Sequence, residues 1–112
     1  MQLVIQLKGD TDSMNEFEQS LYNVLATLPA GKLCSYGQLA KRAGYPNHAR
    51  HVGKTLSKLP SDTKLAWHRV INSQGKLSLT GDRQLKQKQR LLAEGIEVTE
   101  EGTVINFRHY LY

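Results

Sequence analysis

One tryptophan, one cysteine and four histidines carry the most distinctive chemistry in this chain. His68 stands between Trp67 and Arg69 in the segment Leu65-Ala66-Trp67-His68-Arg69-Val70-Ile71, where an imidazole could move a proton or hold a carboxylate. The neighbouring indole offers a broad apolar face and an N–H that only donates. It can pack against another ring, but it is no nucleophile at neutral pH. Cys34, the single cysteine, excludes an intrachain disulfide and a multi-cysteine zinc site, and reads as an inert, partly buried thiol. His48, His51, His68 and His109 lack paired ligand spacing and adjacent carboxylates, so neither a metal nor a cofactor is expected.

Lys and Arg outnumber Asp and Glu by 15 to 10. That excess favours a polyanionic partner, because neutralising phosphates releases condensed counterions. With 39% hydrophobic residues, the 112 residues support one domain with one modest core. No apolar run approaches the roughly 20 residues of a membrane span, so no membrane partner is expected. The opening Met1–Lys8 is too short for a signal peptide and lacks a small-residue cleavage site. A reducing, cytoplasmic compartment is the expectation. Met14 offers a second start, so residues 1–12 read as an N-terminal extension and 13–112 as the domain.

The elements that must position these groups follow from periodicity and caps. Ser13 and Glu16 have capping-box spacing, and Met14, Phe17, Leu21, Val24, Leu25 and Leu28 recur at helical intervals before Pro29 and Gly31. Ser35 and Gln38 form a second box for a short helix through Leu39, Ala40 and Ala43 that stops at Gly44. Tyr45-Pro46-Asn47 is a capped turn into a third helix with Ala49, Val52, Leu56 and Leu59 on one face, ended by Pro60. This is the spacing of a helix-turn-helix. Val70-Ile71, Asn72–Gly75 and Lys76–Leu79 then read as a hairpin, the wing of a winged helix. A basic helix from about Asp82 to Glu94-Gly95 should turn Leu85, Leu91 and Leu92 inward, and Ile96–Val98 and Val104–Phe107 suit short extended segments.

Trp67-His68-Arg69-Val70-Ile71 resembles the active-site signature of the O6-alkylguanine-DNA alkyltransferases, Pro-Cys-His-Arg-Val-(Val/Ile), with Trp67 at the cysteine position and Ala66 at the proline. Ser35–Ala40, Ala49–Gly53 and Leu91–Gly95 match further family blocks in the same order. The resemblance spans roughly residues 14–112, and tryptophan in place of cysteine marks the alkyltransferase-like proteins. It implies a mostly α fold with a small β wing, like the C-terminal DNA-binding domain of the alkyltransferases.

The resemblance also implies a site. His68 and Glu94 match the helpers of a thiolate that is not there, so no catalytic residue and no alkyl transfer are expected. Trp67 would line a pocket for a nucleotide flipped out of the duplex, with Tyr36, His68, Val70, Ser78, Leu79 and Thr80 around it. Aromatic stacking contributes about 1–3 kcal/mol per base, and an added alkyl group about 0.8 kcal/mol per buried CH₂. Arg50 would be a finger entering the stack through the minor groove, since its plane stacks and its donors reach orphaned acceptors. Ser35, Gln38, Gly53 and Lys54 would meet the DNA backbone, within a basic face that includes Lys41, Arg42 and Lys58. Arg69 and Glu94 would be structural, with His68 bonded toward Glu94. The partners implied are duplex DNA containing O6-alkylguanine and the damage-recognition ATPase of bacterial nucleotide excision repair, met by a monomer on nucleoid DNA. Two other readings stay open: a winged-helix transcription regulator, and an enzyme that hydrolyses a flipped base with His68 and Glu94.

Overall fold

Asn15 opens the first helix in the computed structural model, which describes residues 15–60 and 62–112. Its side chain accepts from the Glu18 amide at 2.8 Å, so the cap is Asn15; the proposed cap Ser13, with Met14 and the 1–12 extension, lies outside the described residues. Helix α1 runs Glu16–Ala26 and buries Phe17, Leu21 and Leu25. Strand β1 is Cys34–Ser35. Helix α2, Tyr36–Arg42, is capped by Ser35, whose hydroxyl accepts from the Gln38 amide at 3.1 Å as the box predicts. Gly44, at φ +92°, turns the chain out of α2. Helix α3, Ala49–Leu56, starts at His48 without a side-chain cap bond, and buries Val52, Thr55 and Leu56.

The signature segment forms a single 3-10 turn, Trp67–Arg69, leading into strand β2, Val70–Ile71. Here the hairpin expectation is corrected. β2 pairs in parallel with β1, Cys34 opposite Val70 and Ser35 opposite Ile71. The turn at Asn72–Gly75 does form: the Asn72 amide donates to the Lys76 carbonyl at 3.0 Å, and the Asn72 side chain accepts from the Gln74 and Lys76 amides. Past it, however, Lys76 bridges to Thr103 in antiparallel sense instead of continuing along β2. Gly75 sits at φ +82°, and a Cβ there would lie 2.3 Å from the Phe107 ring, so both backbone and packing demand glycine.

Helix α4 runs Gly81–Ala93 and α5 runs Phe107–Tyr110. Between them Val98 bridges to Val104. The inward face of α4 is a second correction. Leu91 is buried, but Leu85 and Leu92 are 55% and 63% exposed, while Gln87 is buried. The core has two lobes. One joins α1, α2 and α3 to Trp67 and Val70; the other gathers Leu33, Ile71, Leu77, Leu91, Ile96 and Val104. The strand pair lies between them, Cys34 and Val70 facing the first lobe and Leu33 and Ile71 the second, as the two-residue alternation of strands requires. No described helix is long and apolar enough to cross a membrane.

Candidate nucleic-acid interface

Helix α3 divides by its sequence. Val52, Thr55 and Leu56 turn into the core, which leaves Arg50, His51 and Lys54 exposed. Arg50 and Lys54 share a surface cavity of about 330 Å³ with Asn47, His48 and His51. The imidazoles of His48 and His51 stack with centroids 5.7 Å apart, and both lie against Phe17 of α1. Arg50 is thus carried on a helix braced from below, with its own side chain in solvent. Lys41 and Lys58 are exposed too, whereas Arg42 is engaged by the tail: its guanidinium donates to the Tyr112 carbonyl and lies 4.8 Å from that ring's centroid.

Tyr36 is half-buried at the start of α2, its ring packed over Gly53 of α3; a Cβ on Gly53 would meet the tyrosine edge at 3.7 Å. Burial raises the Tyr36 phenol, against a side-chain hydrogen bond with Ser78 that lowers it. That bond links α2 to the Ser78–Thr80 loop, whose Leu79 packs on the same lobe as Trp67 and Tyr36. The Leu79 carbonyl accepts from the Gln84 side chain at 2.9 Å. Tyr36, Leu79, Val70 and Trp67 thus share one core lobe, with Gly53 against the Tyr36 ring and Thr80 exposed as the cap residue of α4.

The signature segment is held from two sides. From α4, the buried Gln87 amide donates to the His68 and Val70 carbonyls, each at 3.1 Å. Glu94, just past α4, is the hub of a charged network. It accepts from Arg69 Nε at 3.1 and 3.0 Å and from a terminal Arg69 nitrogen at 2.7 Å, from the Gly31 amide at 2.8 Å, and from His68 Nε2 at 2.7 Å. Arg69 also donates to the Leu28 carbonyl at 2.6 Å. His68, Arg69 and Glu94 thus form one hydrogen-bonded network that ties the signature turn to the end of α4 and to the Leu28–Gly31 segment. Burial pushes the Glu94 carboxyl up, but hydrogen bonds from Arg69, His68 and Gly31 outweigh it and bring the group down to about 2. Burial lowers His68 despite the carboxylate beside it. At neutral pH the His68–Glu94 contact is therefore a charge-assisted hydrogen bond from a neutral imidazole. Cys34 is buried, and burial raises its thiol despite nearby Arg42, which keeps it unreactive.

Trp67 is only 3% exposed, and its indole N–H has no hydrogen-bond partner among the described residues. Its ring packs into the first lobe and carries two guanidiniums from α4, with the Arg83 and Arg90 centres 5.5 and 5.3 Å from the ring centroid. Arg83 also donates to the Leu59 carbonyl at 2.9 Å. The sequence reading missed Arg83, Gln87 and Arg90. Their spacing of four and three puts them on one helical face, and that polar stripe was the available signal.

The match of residues 16–96 to the DNA-binding domain of 6-O-methylguanine DNA methyltransferase agrees with this arrangement. A DNA base-flipping protein of Vibrio parahaemolyticus is 54% identical over 91 residues, 81% of this chain and 91% of that one. Alkyltransferase-like protein 1 of Schizosaccharomyces pombe is 40% identical over 88 residues, 76% of this chain and 81% of that one. The chain belongs to the alkyltransferase-like family. Its fold agrees with that of S. pombe Atl1 in complex with damaged DNA containing O6-carboxymethylguanine, at TM-score 0.78 and 36% identity over 88% of this chain and 96% of that one. Mycobacterium tuberculosis OGT in complex with DNA matches at TM-score 0.66 and 33% identity, over 72% of this chain and 49% of the larger protein. The part that the alkyltransferase-like chain shares with OGT is thus a mostly helical DNA-binding domain.

Proposed function

We propose that this alkyltransferase-like chain binds O6-alkylguanine in duplex DNA, docks α2 and α3 in the minor groove, and turns the damaged nucleotide into a pocket on Trp67 without transferring its alkyl group. The observation that carries the reading is an indole at the signature position beside an intact His68–Glu94 pair. The machinery that would serve a thiolate is present, the acceptor is not, and Cys34 is buried in the strand pair. A flipped guanine meets an apolar ring that can hold it but cannot attack its alkyl carbon. Weakened pairing of the lesion lowers the cost of flipping and adds selectivity. Arg50 takes the vacated space in the stack, Tyr36 presses on the phosphate beside the target, and Ser35, Gln38, Gly53 and Lys54 follow the backbone.

Titration with two duplexes that differ only in one O6-methylguanine tests this. Tighter binding of the damaged duplex is expected, with unchanged masses of protein and oligonucleotide after incubation. Equal affinity for both, or loss of the alkyl group or base, would end the proposal. The network around His68 disfavours the hydrolytic alternative, because Glu94 is engaged by Arg69 and Gly31 instead of being free to activate water. The complex would act as a monomer on nucleoid DNA in the cytoplasm and pass the lesion to nucleotide excision repair. Retention of the damage-recognition ATPase on lesion duplex only when this protein is present is the expected result for that step.

A further inference from the structure

The closed state of Trp67 raises a question that lesion binding must answer: an indole that is 3% exposed has no free face to offer a base. We propose that Arg83 and Arg90 are a built-in occupant of the base site, lying on the indole in the free protein and displaced when the flipped purine enters. This rests on the lesion-binding reading above. The two residues stand seven apart on α4, with Gln87 between them anchoring the same helix face to the signature backbone. Both guanidinium centres fall within stacking reach of the ring. A guanidinium is a planar cation that favours an aromatic face, so it covers the area that the six-membered ring of a purine would take.

The cover is held in place, since Arg83 donates to the carbonyl of Leu59, three residues past α3. The site beneath it is also incomplete. The indole N–H is buried without an acceptor among the described residues, and an incoming nucleotide, rich in ring-nitrogen and oxygen acceptors, could supply one. Arginine therefore competes with the base for one surface. Undamaged duplex, held through its backbone with its bases stacked, does not meet this competition, whereas the flipped lesion does. The cover sets a threshold that only a readily everted nucleotide crosses.

The chain has a single tryptophan, so intrinsic fluorescence reports this site directly. Arg83→Met and Arg90→Met keep much of the aliphatic packing and remove the guanidiniums, and circular dichroism establishes that each variant is folded. Acrylamide quenching of the free protein should rise in each variant and most in the double variant. The ratio of affinities for O6-methylguanine duplex over undamaged duplex should rise about 3–10-fold, the scale of a displaced cation–π contact. Taking the ratio cancels the lost charge, which weakens both duplexes alike. Unchanged quenching in the double variant overturns the cover. A fallen ratio overturns it too, because the arginines would then be gripping the base instead of standing in for it. A wild-type chain with no lesion preference brings down the lesion-binding reading instead, while quenching still tests the cover by itself.

Discussion

Helix α3 and the signature segment both belong to the DNA-handling part of the molecule, yet they are built in opposite ways. On α3 the groups assigned to DNA, Arg50 and Lys54, are exposed side chains on a helix whose other face fills the core. In the signature segment the charged groups are bound inward: Gln87 takes the His68 and Val70 carbonyls and Glu94 gathers Arg69, His68 and the Gly31 amide, while the indole N–H and His68 Nδ1 find no partner among the described residues. The difference separates reading from holding. Substitutions on α3 should move binding and leave stability alone, and substitutions around Trp67 should move stability first.

The hardest test of that contrast is Trp67→Ala. Removing a fully packed indole should cost about 3–5 kcal/mol of unfolding free energy, measured by urea denaturation, and abolish lesion preference in the fraction that remains folded. A loss below about 1 kcal/mol would show that the ring is not part of the core. Next in size is Glu94→Gln, which leaves Arg69 without its carboxylate and should cost about 2–3 kcal/mol. Its pH dependence has a definite sign. Glu94 is brought down to about 2 in the folded state, so its stabilisation is full above the ordinary carboxylate range and is lost as pH falls from there toward 2. His68 is lowered as well, so acidification below the ordinary histidine range also destabilises the fold, because the unfolded imidazole takes up its proton first. Melting temperature should fall on acidification in two stages, and Glu94→Gln should flatten the lower one. A melting temperature that rose toward pH 3 would contradict the network.

The α3 side of the comparison predicts smaller effects on the fold. Arg50→Ala should change stability by no more than about 0.5 kcal/mol and reduce the fluorescence of a base analogue placed at the target site. An unchanged analogue signal would remove the finger role. The smallest effect is Lys54→Ala: a uniform loss of affinity for all duplexes and a salt dependence shallower by about one. A loss confined to damaged duplex would move Lys54 from the backbone to the base site.

What could be read from the sequence follows the same division. Helices α1, α2 and α3 were legible because their signals are local: apolar residues at helical spacing, the Ser35 cap met by the Gln38 amide, and Gly44 at the stop. The grouping of Trp67, His68, Tyr36 and Glu94 came from matched family blocks; in the structure His68 bonds Glu94, and Tyr36 and Trp67 pack on one lobe. The pairing of Cys34–Ser35 with Val70–Ile71 was not legible, because strands of two residues carry no period and their partners are remote along the chain. Nor was the inward face of α4. Apolar content pointed to Leu85 and Leu92, but the facing signature backbone presents carbonyls, which Gln87 satisfies and leucine cannot. The arginines followed that choice of face onto the indole.

The parallel pair of β1 and β2 has a mechanical meaning. Ser35 caps the helix proposed to dock on DNA, and its register partner Ile71 lies four residues beyond Trp67 on the strand that leaves the signature turn. In the proposed complex a duplex leaning on α2 would work a short lever, with its fulcrum in this pair and its load at the ring. Force from the duplex would thereby reach the proposed arginine cover.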